Sequence, residues 1–184
     1  TRSARDWSSD VCSSDLTETA MSDLGRNWSM AGRALEDVDD VILRSQPNNQ
    51  SNSMGWLLWH MSRIVDRFVH TGCQSSPQLW IKDSWYNKFG LDDDINNTGM
   101  GWNEEQVAAW DLPAKNLLVD YYEAVNAAAR EYIQPLSAVD LDCQIPAARP
   151  PGPASIGSRL GVVVYDNRSE ERRVGNACRS RWSP

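Results

Sequence analysis

Residues 52–69 read NSMGWLLWHMSRIVDRFV, and this stretch decides the fold. Apolar side chains recur in it at spacings of three and four, which is the stripe of an amphipathic helix. Asn52 or Ser53 is a suitable N-cap, and Gly72 is a suitable C-terminal residue. The stretch therefore predicts a helix over 53–72 with its apolar face in a hydrophobic core.

Three further segments show the helical period. They are residues 20–44, residues 112–134 and a helix that begins after the N-cap Ser155. Asn103 and Gln106 form the capping-box pattern of an additional short helix, and the Pro-rich segment 143–155 predicts a connector without regular structure. Since no alternating strand pattern stands out, the predicted fold is all-α, an antiparallel four-helix bundle.

A long aromatic segment separates the second and third predicted helices. Residues 73–103 contain Trp80, Trp85 and Trp102 among several Gly, Asp and Asn residues. A segment of this length either packs its own aromatic side chains or carries function. The sequence leaves both interpretations open.

The two ends of the chain differ from the rest. Residues 6–16 read DWSSDVCSSDL and residues 168–184 read RSEERRVGNACRSRWSP, without helical or strand periodicity. One DNA stem, read on opposite strands, can encode both Ser13–Leu16 and Arg168–Glu171. Both ends resemble translated sequencing adapters, and the alternative is a natural tail rich in Ser and Arg.

This interpretation gives the expected domain limits. Residues 1–16 are an adapter-derived, disordered tail, and residues 17–167 are the bundle domain. Residues 168–184 replace the natural end of the fourth helix, which is therefore truncated. The domain then has a net charge of −9, whereas the full chain of 184 residues has −7.

Charge and hydropathy exclude several classes of protein. An acidic chain repels nucleic-acid phosphates and anionic lipid headgroups, so neither partner is expected. No apolar run approaches the roughly 18 residues of a membrane-spanning helix, and the N-terminus lacks a signal-peptide core. Within the domain, Cys73 and Cys143 are expected to be reduced thiols. We therefore expect a cytoplasmic protein without a membrane partner.

The chain has two histidines, and the pattern separates them. His60 lies three residues after Leu57 and four before Ile64, along the apolar stripe. A His in such a position is either a hydrogen-bonded core residue or a metal ligand, and the pattern favours the former. His70 lies four residues after Asp66 on the polar side, where we expect a surface residue paired with that carboxylate.

Motifs for other chemistry are lacking in the sequence. It contains no Gly-rich phosphate loop, no GxSxG, no HExxH and no paired CxxC. Catalysis by Cys73 would need a His that the sequence does not place beside it.

Several segments together resemble the DinB-like superfamily, whose members are four-helix bundles that often bind a divalent metal. The resemblance rests on WLLWHMSRIVDRFV at 56–69, QLWI at 78–81, KFG at 88–90, TG at 98–99 and YYEAV at 121–125. It covers most of residues 24–167 and reaches the fourth helix.

The resemblance implies a metal site. In these relatives the His of the WH pair is a ligand, which corresponds to His60. The fourth helix supplies an acidic residue or His and, four residues later, a His on the same helix face. Asp166 matches the first position, but Glu170 stands where the relatives have His. The implied cofactor is a divalent metal, zinc or nickel.

The resemblance also implies three candidate functions. The first is a metal-dependent transferase or isomerase that uses a low-molecular-weight thiol and a small-molecule substrate. Its pocket would be walled by Trp56, Trp59, Trp80 and Trp85. The second is a non-catalytic metal-binding or stress-associated bundle, and the third is a fragment without function because its ligand set is incomplete. A second copy of the chain is expected as a further partner, in a homodimer.

Overall fold

A computed structural model describes residues 10–48, 51–147 and 152–179 of the chain. The helices are α1 (Asp10–Leu35), α2 (Asp40–Arg44), α3 (Met54–Asp66), α4 (Leu79–Lys82), α5 (Trp85–Lys88), α6 (Glu104–Ala109), α7 (Lys115–Ile133), α8 (Ala138–Asp142) and α9 (Ile156–Arg179). The strands are β1 (Gln144–Ala147) and β2 (Gly152–Ser155). The prediction of an all-α fold is confirmed.

Four long helices form the bundle. Helix α1 packs against α9 and α7, and α3 packs against the same two helices. Helix α3 is buried on nearly every side, as expected for a segment in which Trp, Leu and Met residues extend beyond a single stripe. It therefore occupies the centre of the fold, and the polar side chains that it carries are enclosed.

The first predicted helix is interrupted. Helix α1 ends at Leu35, and α2 begins five residues later at Asp40, with the carboxylate of the N-cap Asp39 accepting the Ile42 N–H at 2.7 Å. The Lys115 ammonium group donates to backbone carbonyls of the connection. Because the interruption changes the helical phase, Leu43 lies in the core and the predicted Ile42 is half-buried. The prediction of one continuous helix over 20–44 was wrong.

The second helix begins as predicted, since the Ser53 hydroxyl accepts the Trp56 N–H at 3.2 Å. Its end differs from the prediction. The chain widens into a π-helix over Arg67–Gln74, and Ser75 adopts a left-handed conformation with φ of 51°. The wider turns continue the hydrogen-bonded ladder past Gly72, which is therefore not the terminal residue.

The Pro-rich connector contains a short hairpin that the sequence did not indicate. Strands β1 and β2 are antiparallel, with Gln144 opposite Ser155 and Pro146 opposite Pro153. A proline is tolerated here because both strands of a two-stranded ribbon are edge strands. The Ser155 hydroxyl then accepts the Ser158 N–H at 3.1 Å, which confirms the predicted cap of α9.

The ends of the bundle extend beyond the predicted domain limits. Helix α1 begins at Asp10, so that residues 10–16, expected as part of a disordered tail, are helical. Each added residue gains one backbone hydrogen bond on an existing helix, which favours such extension. Helix α9 likewise continues past 167 to Arg179. The expected disorder of residues 1–9 falls outside the described residues, and the adapter origin of both ends remains a prediction.

Hydropathy along the described helices agrees with the sequence. In the part of the chain that the structure describes, no helix is both long enough and apolar enough to cross a membrane.

Candidate metal centre

His60 is held in a fixed orientation on α3. The residue is buried, its ring stacks on Trp56 with centroids 4.9 Å apart, and Nδ1 lies 2.5 Å from the Thr98 carbonyl oxygen. A carbonyl oxygen only accepts hydrogen bonds, so Nδ1 carries the proton of the neutral ring. The lone pair is thereby placed on Nε2, which is the arrangement of a ligating histidine.

Helix α9 brings two carboxylates to the same region. Asp166 and Glu170 are one helical turn apart, and the Asp166 Oδ2 and Glu170 Oε2 atoms are buried without a hydrogen-bond partner. Burial raises the pKa of the Asp166 carboxyl and outweighs the opposing electrostatic effect of its surroundings, which include Arg173. His60 and Asp166 thus lie on two helices that pack against each other.

The predicted ligands fit a metal in chemistry but are not assembled into one cluster. An imidazole nitrogen and carboxylate oxygens suit zinc or nickel. However, Arg173 Nη1 lies 2.8 Å from Glu170 Oε1 and occupies one side of that carboxylate. Among residues 10–48, 51–147 and 152–179, no three His, Cys, Asp or Glu side chains are grouped as a metal site requires.

A buried ion pair lies one turn along α3 from His60, and sequence reasoning missed its burial. Arg63 and Asp66 are both fully buried, with Nη1 3.4 Å from Oδ2. Arg63 also donates to Gln78 Oε1 at 2.8 Å and to the Asn97 carbonyl at 3.0 Å. Its guanidinium carbon lies 4.4 Å from the centre of the Trp80 ring. The pair therefore fastens the aromatic segment 73–103 to the bundle.

Besides Arg63, Asp66 accepts from four donors. They are the Tyr121 hydroxyl at 2.7 Å, the Leu79 and Trp80 N–H groups at 2.9 Å and the His70 ring at 2.8 Å. Burial acts to raise the pKa of the Asp66 carboxyl, but these hydrogen bonds outweigh it and the pKa is lowered. The predicted pairing of His70 with Asp66 is confirmed. Both residues lie deeper than predicted, because the aromatic segment covers this face of α3.

This pair makes stability depend on pH. The hydrogen bond to Asp66 raises the pKa of His70 above its ordinary value, although burial opposes the shift. A raised pKa in the folded state stabilises the protein below about pH 6.5 and loses that effect as pH rises through the folded-state value. We expect the free energy of unfolding to fall by on the order of 1 kcal/mol over this range. Urea unfolding at several pH values measures it.

The control for this prediction is His70→Gln, which keeps a hydrogen-bond donor near Asp66 and does not titrate. This variant should lose the decline in stability above about pH 6.5 that the parent chain shows. Identical pH profiles for the two proteins would contradict the role assigned to His70.

The four tryptophans expected to wall a pocket occupy different environments. Trp59 and Trp80 are fully buried among other aromatic rings, and Trp85 is buried against Tyr121. Trp56 lines a cavity of about 210 Å³, whose other lining residues include Arg44, Ser53, Trp110, Asp111 and Leu112. Trp59, Trp80 and Trp85 do not line that cavity. A role of these tryptophans in substrate binding remains a prediction.

The structure describes the side chains of two cysteines, Cys73 and Cys143. Cys73 and Cys143 are free, as predicted for reduced thiols. Burial raises the pKa of the half-buried Cys73 thiol to about 11, although a hydrogen bond with Tyr132 acts to lower it. At neutral pH Cys73 is therefore almost entirely protonated and a poor nucleophile.

Comparisons with known proteins agree with this architecture. A comparison with curated proteins finds no match. The solved structure of a conserved protein from Enterococcus faecalis superposes with a TM-score of 0.77 at 23% identity, and the alignment covers 89% of this chain and 95% of that one. That likeness supports the fold. The sequence model of the DinB superfamily matches residues 23–168, which include His60, the buried ion pair and Asp166. The chain therefore belongs to the DinB superfamily.

Proposed function

We propose that this chain binds a divalent metal ion through His60 on α3 and through Asp166 and Glu170 on α9. The observation that supports the proposal is the hydrogen bonding of the three side chains. His60 has Nδ1 committed to the Thr98 carbonyl, and each carboxylate keeps one buried oxygen without a hydrogen-bond partner. Burying such oxygens unpaired is unfavourable, and a cation supplies the missing interaction.

A site with these three ligands suits a catalytic role better than a structural one. Three protein ligands leave a coordination position open for another molecule. When bound, the ion would supply Lewis acidity that lowers the pKa of a low-molecular-weight thiol. We therefore propose a metal-dependent transferase or isomerase that acts on a small electrophilic substrate. His60 and Asp166 would hold and orient the ion, and the buried tryptophans around α3 would exclude water.

A second candidate function is favoured by the contact between Arg173 and Glu170. The guanidinium group neutralises the Glu170 carboxylate and competes with a metal ion for it. Glu170 also belongs to the end that we interpret as adapter-derived, where relatives are expected to have His. On this alternative the chain is a non-catalytic metal-binding bundle, or a fragment whose ligand set is incomplete.

Metal content tests the first proposal directly. The full chain is incubated with zinc or nickel, desalted and analysed by inductively coupled plasma mass spectrometry. We expect about one ion per chain, and we expect His60→Ala to weaken binding by more than 100-fold, since even outer partners of ligands contribute about 10- to 100-fold. Asp120→Asn is the control, because Asp120 is exposed on α7. An unchanged metal content in His60→Ala would show that the site is placed wrongly.

The two candidates are separated at position 170. If Glu170 is a ligand, Glu170→Gln weakens binding and Glu170→His restores it, because imidazole is a good zinc and nickel ligand. If the ligand set is incomplete, the parent chain binds no stoichiometric metal and only Glu170→His gains it. A protein that holds metal but does not consume a thiol with electrophilic substrates would favour the non-catalytic bundle.

A further inference from the structure

Side chains on one turn of α3 donate hydrogen bonds to backbone carbonyls of the aromatic segment 73–103. His60 Nδ1 donates to the Thr98 carbonyl, and three residues later Arg63 Nε donates to the Asn97 carbonyl at 3.0 Å. Arg63 Nη2 also donates to the Ile95 carbonyl at 3.3 Å. Neighbouring carbonyls of the segment are therefore bound by two side chains of the same helix face, which fixes the segment relative to His60.

Gly99 allows this close approach. Its φ of +80° lies in the region that favours glycine, and a Cβ atom at this position would lie 2.6 Å from both the Trp56 and the Trp59 ring. Such a separation is far below van der Waals contact. Any side chain at Gly99 must displace the segment or the two indole rings, and Trp56 is the ring on which His60 stacks.

We propose that Gly99 is a positioning residue that, by seating the Thr98 carbonyl against Nδ1, fixes His60 in the Nδ1–H tautomer and presents Nε2 for ligation. A neutral imidazole has one N–H, and the nitrogen that meets a carbonyl must be the donor. The tautomer is thus set by backbone geometry before any ligand arrives. The statement about ligation rests on the proposed metal site, whereas the statement about the tautomer does not.

The first test uses the full chain without metal. Long-range ¹H–¹⁵N correlation spectra at a pH where His60 is neutral report which ring nitrogen carries the proton, and His60→Gln identifies the signal. We expect the Nδ1–H form to dominate. A dominant Nε2–H form, or an even mixture of the two forms, overturns the proposal whether or not the protein binds metal.

The second test compares two glycine variants. Gly99→Ala and Gly101→Ala both place a side chain at positive φ, +80° and +85°, but a Cβ at Gly101 meets no atom within 4 Å. The strain of the backbone is therefore similar, and the contact with the indole rings is the difference. We expect Gly99→Ala to weaken the tautomer preference and to lower zinc or nickel affinity by about 10- to 100-fold. Gly101→Ala should stay within about 2-fold of the parent chain.

The outcomes are distinguishable. If the parent chain binds no metal but shows the Nδ1–H form, the proposed function fails and the positioning role of Gly99 stands. Equal losses in Gly99→Ala and Gly101→Ala would overturn the positioning role, because general strain of the segment would explain both. If Gly99→Ala does not fold whereas Gly101→Ala does, the contact at Gly99 rather than the backbone strain is required, and the tautomer of the parent chain decides whether His60 is held as proposed.

Discussion

Asp66→Asn is expected to lower the free energy of unfolding by about 3–5 kcal/mol. The substitution keeps the shape of the side chain but removes the charge that balances Arg63, and both residues are fully buried. The new amide NH₂ group would also face donors, since the Asp66 oxygens accept the backbone N–H groups of Leu79 and Trp80. The variant therefore leaves a buried cation without a counter-charge and buried donors without acceptors.

Urea unfolding followed by far-ultraviolet circular dichroism measures this loss. Asp120→Asn is the matched control, because it makes the same chemical change at an exposed position of α7 and should alter stability by less than about 0.5 kcal/mol. A loss below about 1 kcal/mol for Asp66→Asn, the range of exposed ion pairs, would show that solvent reaches the network.

Trp59→Ala is expected to lower the free energy of unfolding by a similar amount, about 3–5 kcal/mol. Trp59 is fully buried, and its ring centre lies 4.8 Å from that of Trp110 and 5.2 Å from that of Trp102. It joins α3 to the aromatic segment and to the residue that follows α6. Its removal leaves a cavity that rigid neighbouring rings fill poorly.

Trp102→Ala is the matched control, because the same side chain is removed from a half-buried position in the same cluster. We expect a smaller loss of stability for Trp102→Ala than for Trp59→Ala in the same urea experiment. If Trp59 is instead a pocket wall, its replacement leaves stability near that of the parent chain and changes ligand binding, which would contradict a core role.

Much of the helical framework is predictable from local sequence. The Ser53 and Ser155 caps and the capping box of Asn103 and Gln106 are confirmed, because capping depends on residues within one turn of each other. The buried face of α9 that includes Leu160 and Asn167 follows from the helical period for the same reason.

The errors in the fold have a common cause. The interruption after Leu35 involves Lys115, which lies 80 residues away in the sequence and donates to the backbone carbonyls of Leu35 and Val38. The hairpin of the Pro-rich connector depends on pairing between Gln144 and Ser155. Neither contact leaves a periodic pattern, so a reading of local sequence cannot detect it.

For the candidate site too, some features follow from local spacing and others depend on tertiary contacts. The spacing of residues within α3 and α9 determined that His60 lies on the apolar face and that Asp166 and Glu170 share one face. Only the tertiary structure decided that the Thr98 carbonyl meets His60 Nδ1, whereas the contact of Arg173 with Glu170 is a local pair three residues apart on α9.

The sequence by itself determined the helices, their caps and the residues that face the core, because these follow from interactions over one or two turns. Only the tertiary structure decided that Asp66 is a buried counter-ion rather than a surface carboxylate. The physical reason is that burial of a polar side chain depends on what covers it, and the cover of α3 is a segment with no period of its own. The aromatic segment also sets the orientation of His60, because its partner is the backbone carbonyl of Thr98. Every residue type has a backbone carbonyl, so the identity of residue 98 does not predict this contact.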